Sequence, residues 1–191
     1  MEVYDACMKR RSVRKFEHKE IGMATLMKLV DSGRMAPSGA NVQPIEYLIV
    51  DEQIIREKLF LSLKWAGYIA PKGNPLKGEE PTAYIVMLIN TKIKEANYQY
   101  DVGAAAENIA LCAVAEGLAS CMLGAIDRDR IREQFKIPEY YVIDLVIALG
   151  YPKEHPIIEE LKESVRYYKD ERGVLHVPKR RLKDIMHVNR L

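Results

Sequence analysis

The sequence predicts an α+β fold in which helices pack around one sheet. Short β-favouring runs and helical patterns follow one another without the strict strand–helix alternation that is typical of parallel sheets. The stretch 100–117 is almost wholly apolar, so both faces of a helix there must be covered. We expect this central helix to lie against the sheet and against a second subunit.

The elements are predicted from the period of the apolar residues and from their boundaries. Apolar residues at helical spacing predict helices over 2–10, 23–35, 52–66, 100–117 and 127–135, the last capped by Asp127. Short apolar or β-rich runs that end at a polar residue or a glycine predict strands at 45–50, 83–90, 120–125 and 142–149.

Two segments lack a clear period. Residues 67–82 carry three glycines and three prolines, and a loop of this length is typical of a lid or a substrate wall. Trp65 and Tyr68 could belong to such a wall, and a plain surface loop is an equal alternative. The tail from Tyr151 is polar and rich in Lys and Arg. A tail this hydrophilic seldom folds alone, so we expect it to wrap a partner subunit.

The composition limits the possible classes of function. The 191 residues suit one domain over 1–191, and no window approaches the roughly 18 apolar residues of a membrane helix. Basic residues near the N-terminus replace the apolar run of a secretory signal, so we expect a cytoplasmic protein. The cysteines Cys7, Cys112 and Cys121 are widely spaced, which predicts reduced thiols and no structural metal.

Four short clusters carry polar or small residues that could bind a ligand. Arg10-Arg11-Ser12-Val13-Arg14 follows the first helix, and guanidinium groups with a serine hydroxyl suit a phosphate monoester. A solvated basic face is the usual alternative for such a run. A second cationic group, Pro178-Lys179-Arg180-Arg181, lies near the C-terminus, so the two groups could meet in the fold.

The other two clusters suit a flat ring. Pro37-Ser38-Gly39-Ala40-Asn41-Val42-Gln43-Pro44 offers one hydroxyl and two carboxamides, which can pair with the edge of a flavin or pyrimidine ring. The alternative is a turn whose side chains bond to their own backbone. Leu123-Gly124-Ala125 would let a ring approach backbone N–H groups, or it is simply a strand end.

Taken together, these clusters resemble the nitroreductase family, also called the nitro-FMN-reductase superfamily, over nearly the whole chain. The specific features are the order and spacing of R-R-S-V-R, P-S-G-A-N-V-Q-P, D-V-G-A-A-A-E-N-I-A-L-C-A-V-A-E-G-L-A-S-C-M-L-G-A, I-P-E, L-V-I-A-L-G-Y-P and P-K-R-R-L. The resemblance implies a three-layer sandwich with a central, mostly antiparallel sheet flanked by helices. It also implies an intertwined homodimer with two FMN sites at the interface, each built from both chains.

The resemblance implies a function and a set of site residues. NADH or NADPH would donate hydride to FMN, which would reduce a small-molecule acceptor of the nitroaromatic, quinone or flavin type by a ping-pong mechanism. No catalytic acid or base is expected, because the cofactor supplies the redox chemistry. The expected cofactor-binding residues are Arg10, Arg11, Ser12, Arg14, Pro37, Ser38, Gly39, Asn41, Gln43, Leu123, Gly124, Ala125, Lys179 and Arg181.

Two departures from the family pattern and three alternatives remain. Ile45 stands where many members carry an aromatic residue, and Met122 where many carry tryptophan, which leaves the substrate class open. A non-catalytic FMN-binding or sensing protein, or a dehalogenating or flavin-modifying enzyme, would share the same motifs. A nucleic-acid binder is disfavoured, because the net charge is only +2 and the basic run has no interleaved aromatic residues.

Overall fold

A four-stranded sheet forms the centre of the computed structural model, which describes residues 1–190. Its strands are ordered β1–β2–β4–β3, where β1 is Ile45–Val50, β2 is Ala83–Asn90, β3 is Ala119–Leu123 and β4 is Tyr141–Gly150. Each neighbouring pair is antiparallel, with Ile85 of β2 opposite Ile147 of β4. The antiparallel sheet implied by the family resemblance is therefore confirmed.

Helices cover both faces of this sheet. They are α1 (Val3–Lys9), α2 (Met23–Arg34), α3 (Gln53–Phe60), α4 (Gln99–Ala115) and α5 (Arg128–Phe135). Successive side chains of a strand point to opposite faces, and β2 is buried on both. Ile85 packs in a core with residues of α2 and α4, whereas Val86 packs in a second core with residues of α3 and α5. The three layers of the predicted sandwich are thus present.

The central helix α4 is covered on only one face within this chain. Its buried residues follow a helical stripe: Asp101, Val102, Ala105, Ala106, Ile109, Ala110 and Ala113. Tyr100, next to the start of that stripe, is 89% exposed. Of the two faces predicted to be covered, the one toward the sheet is confirmed, and cover of the other face by a second subunit stays a prediction.

The predicted helix over 52–66 is wrong in its second half, because α3 ends at Phe60. Residues 62–64 instead lie alongside 125–127. The N–H of Asp127 donates to the carbonyl of Ser62 at 2.8 Å, and the N–H of Lys64 donates to the carbonyl of Ala125 at 3.0 Å. These pairings replace the hydrogen bonds that a longer helix would have made.

The polar tail forms a small sheet of its own within this chain, and that it also wraps a partner subunit stays a prediction. A small sheet has the order β5–β7–β6, where β5 is Ile157–Glu160, β6 is Tyr168–Lys169 and β7 is Leu175–Lys179. His176 joins its strands, since its Nδ1 lies 3.0 Å from Glu159 and its Nε2 lies 3.3 Å from Asp170. These hydrogen bonds, the one to Glu159 first, raise the pKa of His176.

Other boundaries agree closely with the sequence. Asp127 caps α5 as predicted, since its carboxylate accepts a hydrogen bond from the N–H of Arg130 at 3.1 Å. Cys121 packs in the core, as expected. None of the helices described between residues 1 and 190 has the length and apolar character needed to cross a membrane.

Candidate cofactor site

The basic segment after α1 lies along the outer edge of β3. Ser12 forms a parallel bridge with Ser120, whose carbonyl accepts a hydrogen bond from the N–H of Val13 at 3.0 Å. Phe16 is fully buried and packs tightly on Gly150, where a β-carbon would lie 2.6 Å from the Phe16 side chain. The backbone of the basic segment is therefore held by strand pairing and by packing.

Two of the arginines in this segment have partners within the chain. The Nε of Arg10 lies 3.0 Å from a carboxylate oxygen of Glu107 on α4. The guanidinium of Arg11 donates to the carbonyls of Met8, at 2.7 Å, and Arg10. Because these carbonyls lie at the C-terminal end of α1, Arg11 stabilises that helix end.

Arg14 differs from the other two arginines. Its backbone N–H donates to a carboxylate oxygen of Glu154 at 2.8 Å, and its guanidinium lies 4.9 Å from the centre of the Tyr167 ring. The Nε atoms of Arg14 and Arg11 are both buried without a hydrogen-bond partner. The other guanidinium nitrogens of Arg11 are bonded, whereas the Arg14 guanidinium forms no side-chain hydrogen bond or ion pair within residues 1–190. Buried donors of this kind normally have partners, so an anion such as phosphate would satisfy Arg14.

The loop between α2 and β1, residues 37–44, has an unusual backbone. Ala40, Asn41 and Gln43 have φ values of 53°, 55° and 50°, which lie in the left-handed region that residues other than glycine rarely adopt. The hydroxyl of Ser38 accepts a hydrogen bond from the N–H of Gln43 at 3.0 Å, and the Gln43 amide donates to the carbonyl of Asn41 at 3.1 Å. The loop thus makes the internal bonds expected of a turn, while Pro37, Ser38 and Gln43 also line a cavity of about 150 Å³.

Asp101, at the start of α4, holds this loop to the body of the protein. One carboxylate oxygen accepts the N–H of Gly39 at 3.0 Å, and the other lies 2.6 Å from the ammonium of Lys94. Burial raises the pKa of Asp101, but the hydrogen bonds from Lys94 and Gly39 outweigh it, so the pKa lies below its ordinary value. This role of Asp101 was not predicted from the sequence, where its only signal is an acidic residue in the first turn of an apolar helix.

The Leu123-Gly124-Ala125 segment forms the end of β3 and the turn that follows. Leu123 is buried, whereas Gly124 and Ala125 are exposed. A β-carbon built on Gly124 would meet no atom within 4 Å, so there is open space beside this backbone. At about 3.3 Å per residue, Ser120 and Gly124 lie about 13 Å apart along the strand. A ligand that reaches from the basic segment to Gly124 must therefore be elongated.

Lys179 and Arg181, from the second cationic group, lie at the end of the tail sheet and are exposed. Arg181 makes two hydrogen bonds to Asp184, at 2.8 and 3.1 Å, and lies 3.5 Å from Glu160. Lys179 ends β7. Within residues 1–190, no hydrogen bond or ion pair joins Lys179 or Arg181 to the basic segment after α1. A meeting of the two cationic groups stays a prediction.

The long segment 67–82 is linked to the basic segment through Tyr167 of the tail. Tyr68 lies 5.0 Å from Tyr167, ring centre to ring centre, and the guanidinium of Arg166 lies 5.3 Å from the Tyr68 ring. Tyr167 is also the ring under Arg14. Trp65, by contrast, is buried against Phe60, so it is part of the core within this chain.

Comparison with known proteins identifies the family. The family model described as "Nitroreductase family" matches residues 7–151. A protein of Methanothermobacter thermautotrophicus, provisionally named an NADH dehydrogenase/NAD(P)H nitroreductase, is 30% identical over an alignment of 173 residues that covers 88% of this chain and 86% of that protein.

Solved structures agree. A nitroreductase family protein from Clostridium novyi NT is 26% identical, with a TM-score of 0.70 over 80% of this chain and 88% of that one. A structure described as an FMN-dependent nitroreductase, from Clostridium difficile R20291, is 23% identical and shares the fold, with a TM-score of 0.69 over 97% of this chain and 98% of that one. Since the family model spans most of the sequence and the fold agrees with it, this chain belongs to the nitroreductase family.

Proposed function

We propose that this chain is an FMN-dependent oxidoreductase. NADH or NADPH is the electron donor, and nitroaromatic, quinone or flavin-type compounds are the acceptors, in a ping-pong cycle. Family membership supports the reaction type, and the Clostridium difficile structure described as FMN-dependent supports the cofactor. Bound FMN would supply the redox chemistry, while the protein fixes position and electrostatics. The observation that carries the proposal is the Arg14 guanidinium, which lies against Tyr167, has a buried Nε without a partner and forms no side-chain hydrogen bond or ion pair within residues 1–190.

The residues of the chain fit the parts of FMN. The guanidinium of Arg14 and the hydroxyl of Ser12 would bind the phosphate, with Arg10 and Arg11 beside them. Lys179 and Arg181 would join them once Arg181 releases Asp184 and binds the phosphate instead. The open backbone at Gly124, with Leu123 and Ala125, offers space for a flat ring. The loop residues Pro37, Ser38, Gly39, Asn41 and Gln43 would contact the ribityl chain or the ring edge.

We also propose that the protein is a homodimer whose subunits each contribute to both sites. Large apolar side chains are exposed on α1, at the start of α4 and in the last residues of the described chain: Val3, Tyr4, Met8, Tyr100, Leu182, Ile185, Met186 and Val188. Exposed apolar surface of this extent is typical of an interface. Sedimentation velocity should give twice the 21.9 kDa of one chain. A single species of 21.9 kDa would contradict the dimer.

The visible absorption spectrum tests the central proposal. The purified protein, supplied with FMN, should show bound oxidised flavin that bleaches when NADH or NADPH is added without oxygen. A protein that stays colourless after FMN addition and desalting would refute flavin binding. Bound flavin that neither nucleotide reduces would refute the oxidoreductase and indicate a protein that stores or senses FMN.

The exposed ring of Tyr68 is expected to contact the acceptor. Tyr68→Ala should raise the apparent KM for aromatic acceptors by about 2- to 10-fold, the range that one aromatic contact contributes, with little change in the Kd for FMN. Tyr140→Ala is a matched control, because Tyr140 pairs with Tyr141 on the far end of β4. Steady-state kinetics and FMN titration measure both quantities. Equal losses in both would count against segment 67–82 as a substrate wall.

A further inference from the structure

We infer that Asp101 is a positioning residue: with Lys94 as its counter-ion, it fixes the conformation of loop 37–44 and thereby sets the affinity for FMN. This inference rests on the proposed function, because the loop is taken to contact the flavin. Asp101 itself does not need to touch the cofactor. Its effect passes through the backbone N–H of Gly39.

The geometry of Asp101 leaves little freedom. The residue is 5% exposed, and both carboxylate oxygens have partners. Lys94 comes from the turn after β2, and Gly39 from the loop, so the carboxylate joins three separate parts of the chain. A buried charge is tolerated only when it is paired and hydrogen-bonded, and here the two partners together meet that condition.

The loop needs such an anchor. Three residues in the left-handed region, within four positions, each cost conformational energy that contacts elsewhere must offset. The bonds between Ser38, Asn41 and Gln43 shape the loop internally. They do not fix it relative to the rest of the fold. The N–H of Asn90 on β2 holds the Pro44 end of the loop at 2.9 Å, and the bond from Gly39 to Asp101 holds its middle to α4.

The same helix also holds the basic segment. Glu107 of α4 pairs with Arg10 at 3.0 Å, and it lies six residues beyond Asp101. Six residues of α-helix correspond to about 9 Å along the axis. Two acidic side chains of α4 thus hold two of the elements assigned to FMN, and the Asp101 contact is the more deeply buried of the two.

The test compares Asp101→Asn with a matched control. Asparagine preserves the shape but removes the charge and leaves the Lys94 ammonium facing an amide. The control is Glu20→Gln. Glu20 accepts two hydrogen bonds from the buried Arg56, at 2.8 and 2.9 Å and away from the loop, so this substitution also removes the carboxylate partner of a buried cation. The double variant Lys94→Gln/Asp101→Asn rebuilds a neutral hydrogen-bonded pair and should recover part of what Asp101→Asn loses.

Two measurements are made on each protein. Hydrogen–deuterium exchange, without FMN, reports the loop amides; titration followed by flavin fluorescence gives the Kd for FMN. In Asp101→Asn the loop amides should exchange at least about 10-fold faster and the Kd should rise about 10- to 100-fold, the effect of weakening a hydrogen bond to a charged group. At saturating FMN, kcat should return to within about 3-fold of wild type, since the reacting groups are unchanged.

Each outcome decides the inference. Unchanged loop exchange in Asp101→Asn would overturn it, and so would faster exchange with an unchanged Kd. The same shifts in Glu20→Gln would indicate general destabilisation and would overturn it as well. If the wild type binds no FMN, the proposed function fails and the flavin part of the inference fails with it, while the exchange rates still show whether Asp101 fixes the loop.

Discussion

Replacement of Arg14 by methionine is expected to weaken FMN binding by at least about 100-fold, since a phosphate loses more than one charge-assisted hydrogen bond. Methionine keeps most of the length and packing of the side chain beside Tyr167. The fold should persist, because the guanidinium forms no ion pair within residues 1–190 and the backbone of the segment is held independently. Fluorescence titration with FMN measures the change, and circular dichroism checks the fold.

A nearby exposed lysine is the control for Arg14. Lys9→Met removes the same charge five residues away, in the last turn of α1, where the Lys9 side chain is exposed and has no ion pair within residues 1–190. Its effect on the Kd for FMN should stay below about 5-fold, the size expected of a screened charge nearby. Arg14→Lys should be intermediate, because an ammonium cannot form the forked pair. If the two methionine variants weaken FMN binding equally, the phosphate makes no specific contact with the Arg14 guanidinium.

The features of the fold that could be predicted are those with a local signal. Seven consecutive residues of β2 are buried, and the sequence shows this as an unbroken apolar run. The cap at Asp127 also has a local signature. The end of α3 at Phe60 has none, because the residues after it pair with 125–127, more than sixty positions later. The strands of the tail are short and polar, so their pairing around His176 leaves no hydrophobic period to detect.

The candidate site divides in the same way. The residue types of the basic segment and of loop 37–44 could be recognised from their order and spacing. The sequence could not show which arginine lacks an ion pair, since the carboxylate that pairs with Arg10 lies 97 positions away at Glu107. The role of Asp101 depends on Gly39, 62 positions earlier. The pairing of Arg181 with Asp184 is local and could have been read from the i, i+3 spacing.

Loss of the Glu79 carboxylate is expected to have the largest effect on stability. Glu79 is mostly buried and pairs with Lys15 at 2.8 Å and Lys153 at 3.2 Å, while its own carbonyl accepts the N–H of Phe16. It therefore joins the long segment 67–82 to the basic segment. Burial raises its pKa, but the bonds from Lys15, Lys153 and the N–H of Leu76 outweigh this and lower the pKa from 4.5 to about 2.

The sign of the pH dependence follows from that shift. The carboxylate binds protons less readily in the folded protein than in the unfolded chain, so it stabilises the fold above about pH 4.5. This contribution, about 2–3 kcal/mol at pH 7, is lost as the pH falls from 4.5 toward 2. Glu79→Gln should lower the free energy of unfolding by that amount at pH 7, and the gap from wild type should narrow steadily below pH 4.5.

Urea denaturation at a series of pH values measures both effects, with Asp31→Asn as the control. Asp31 forms an exposed pair with Arg34 on α2, and exposed pairs contribute about 0–1 kcal/mol, so its loss should shift stability little at any pH. If the difference in free energy of unfolding between Glu79→Gln and wild type stayed constant down to pH 2, the Glu79 side chain would stabilise the fold through its packing and not through its charge. A gap that closes in acid would instead show that segment 67–82 is held by the ion pairs, and that acid releases it from the basic segment.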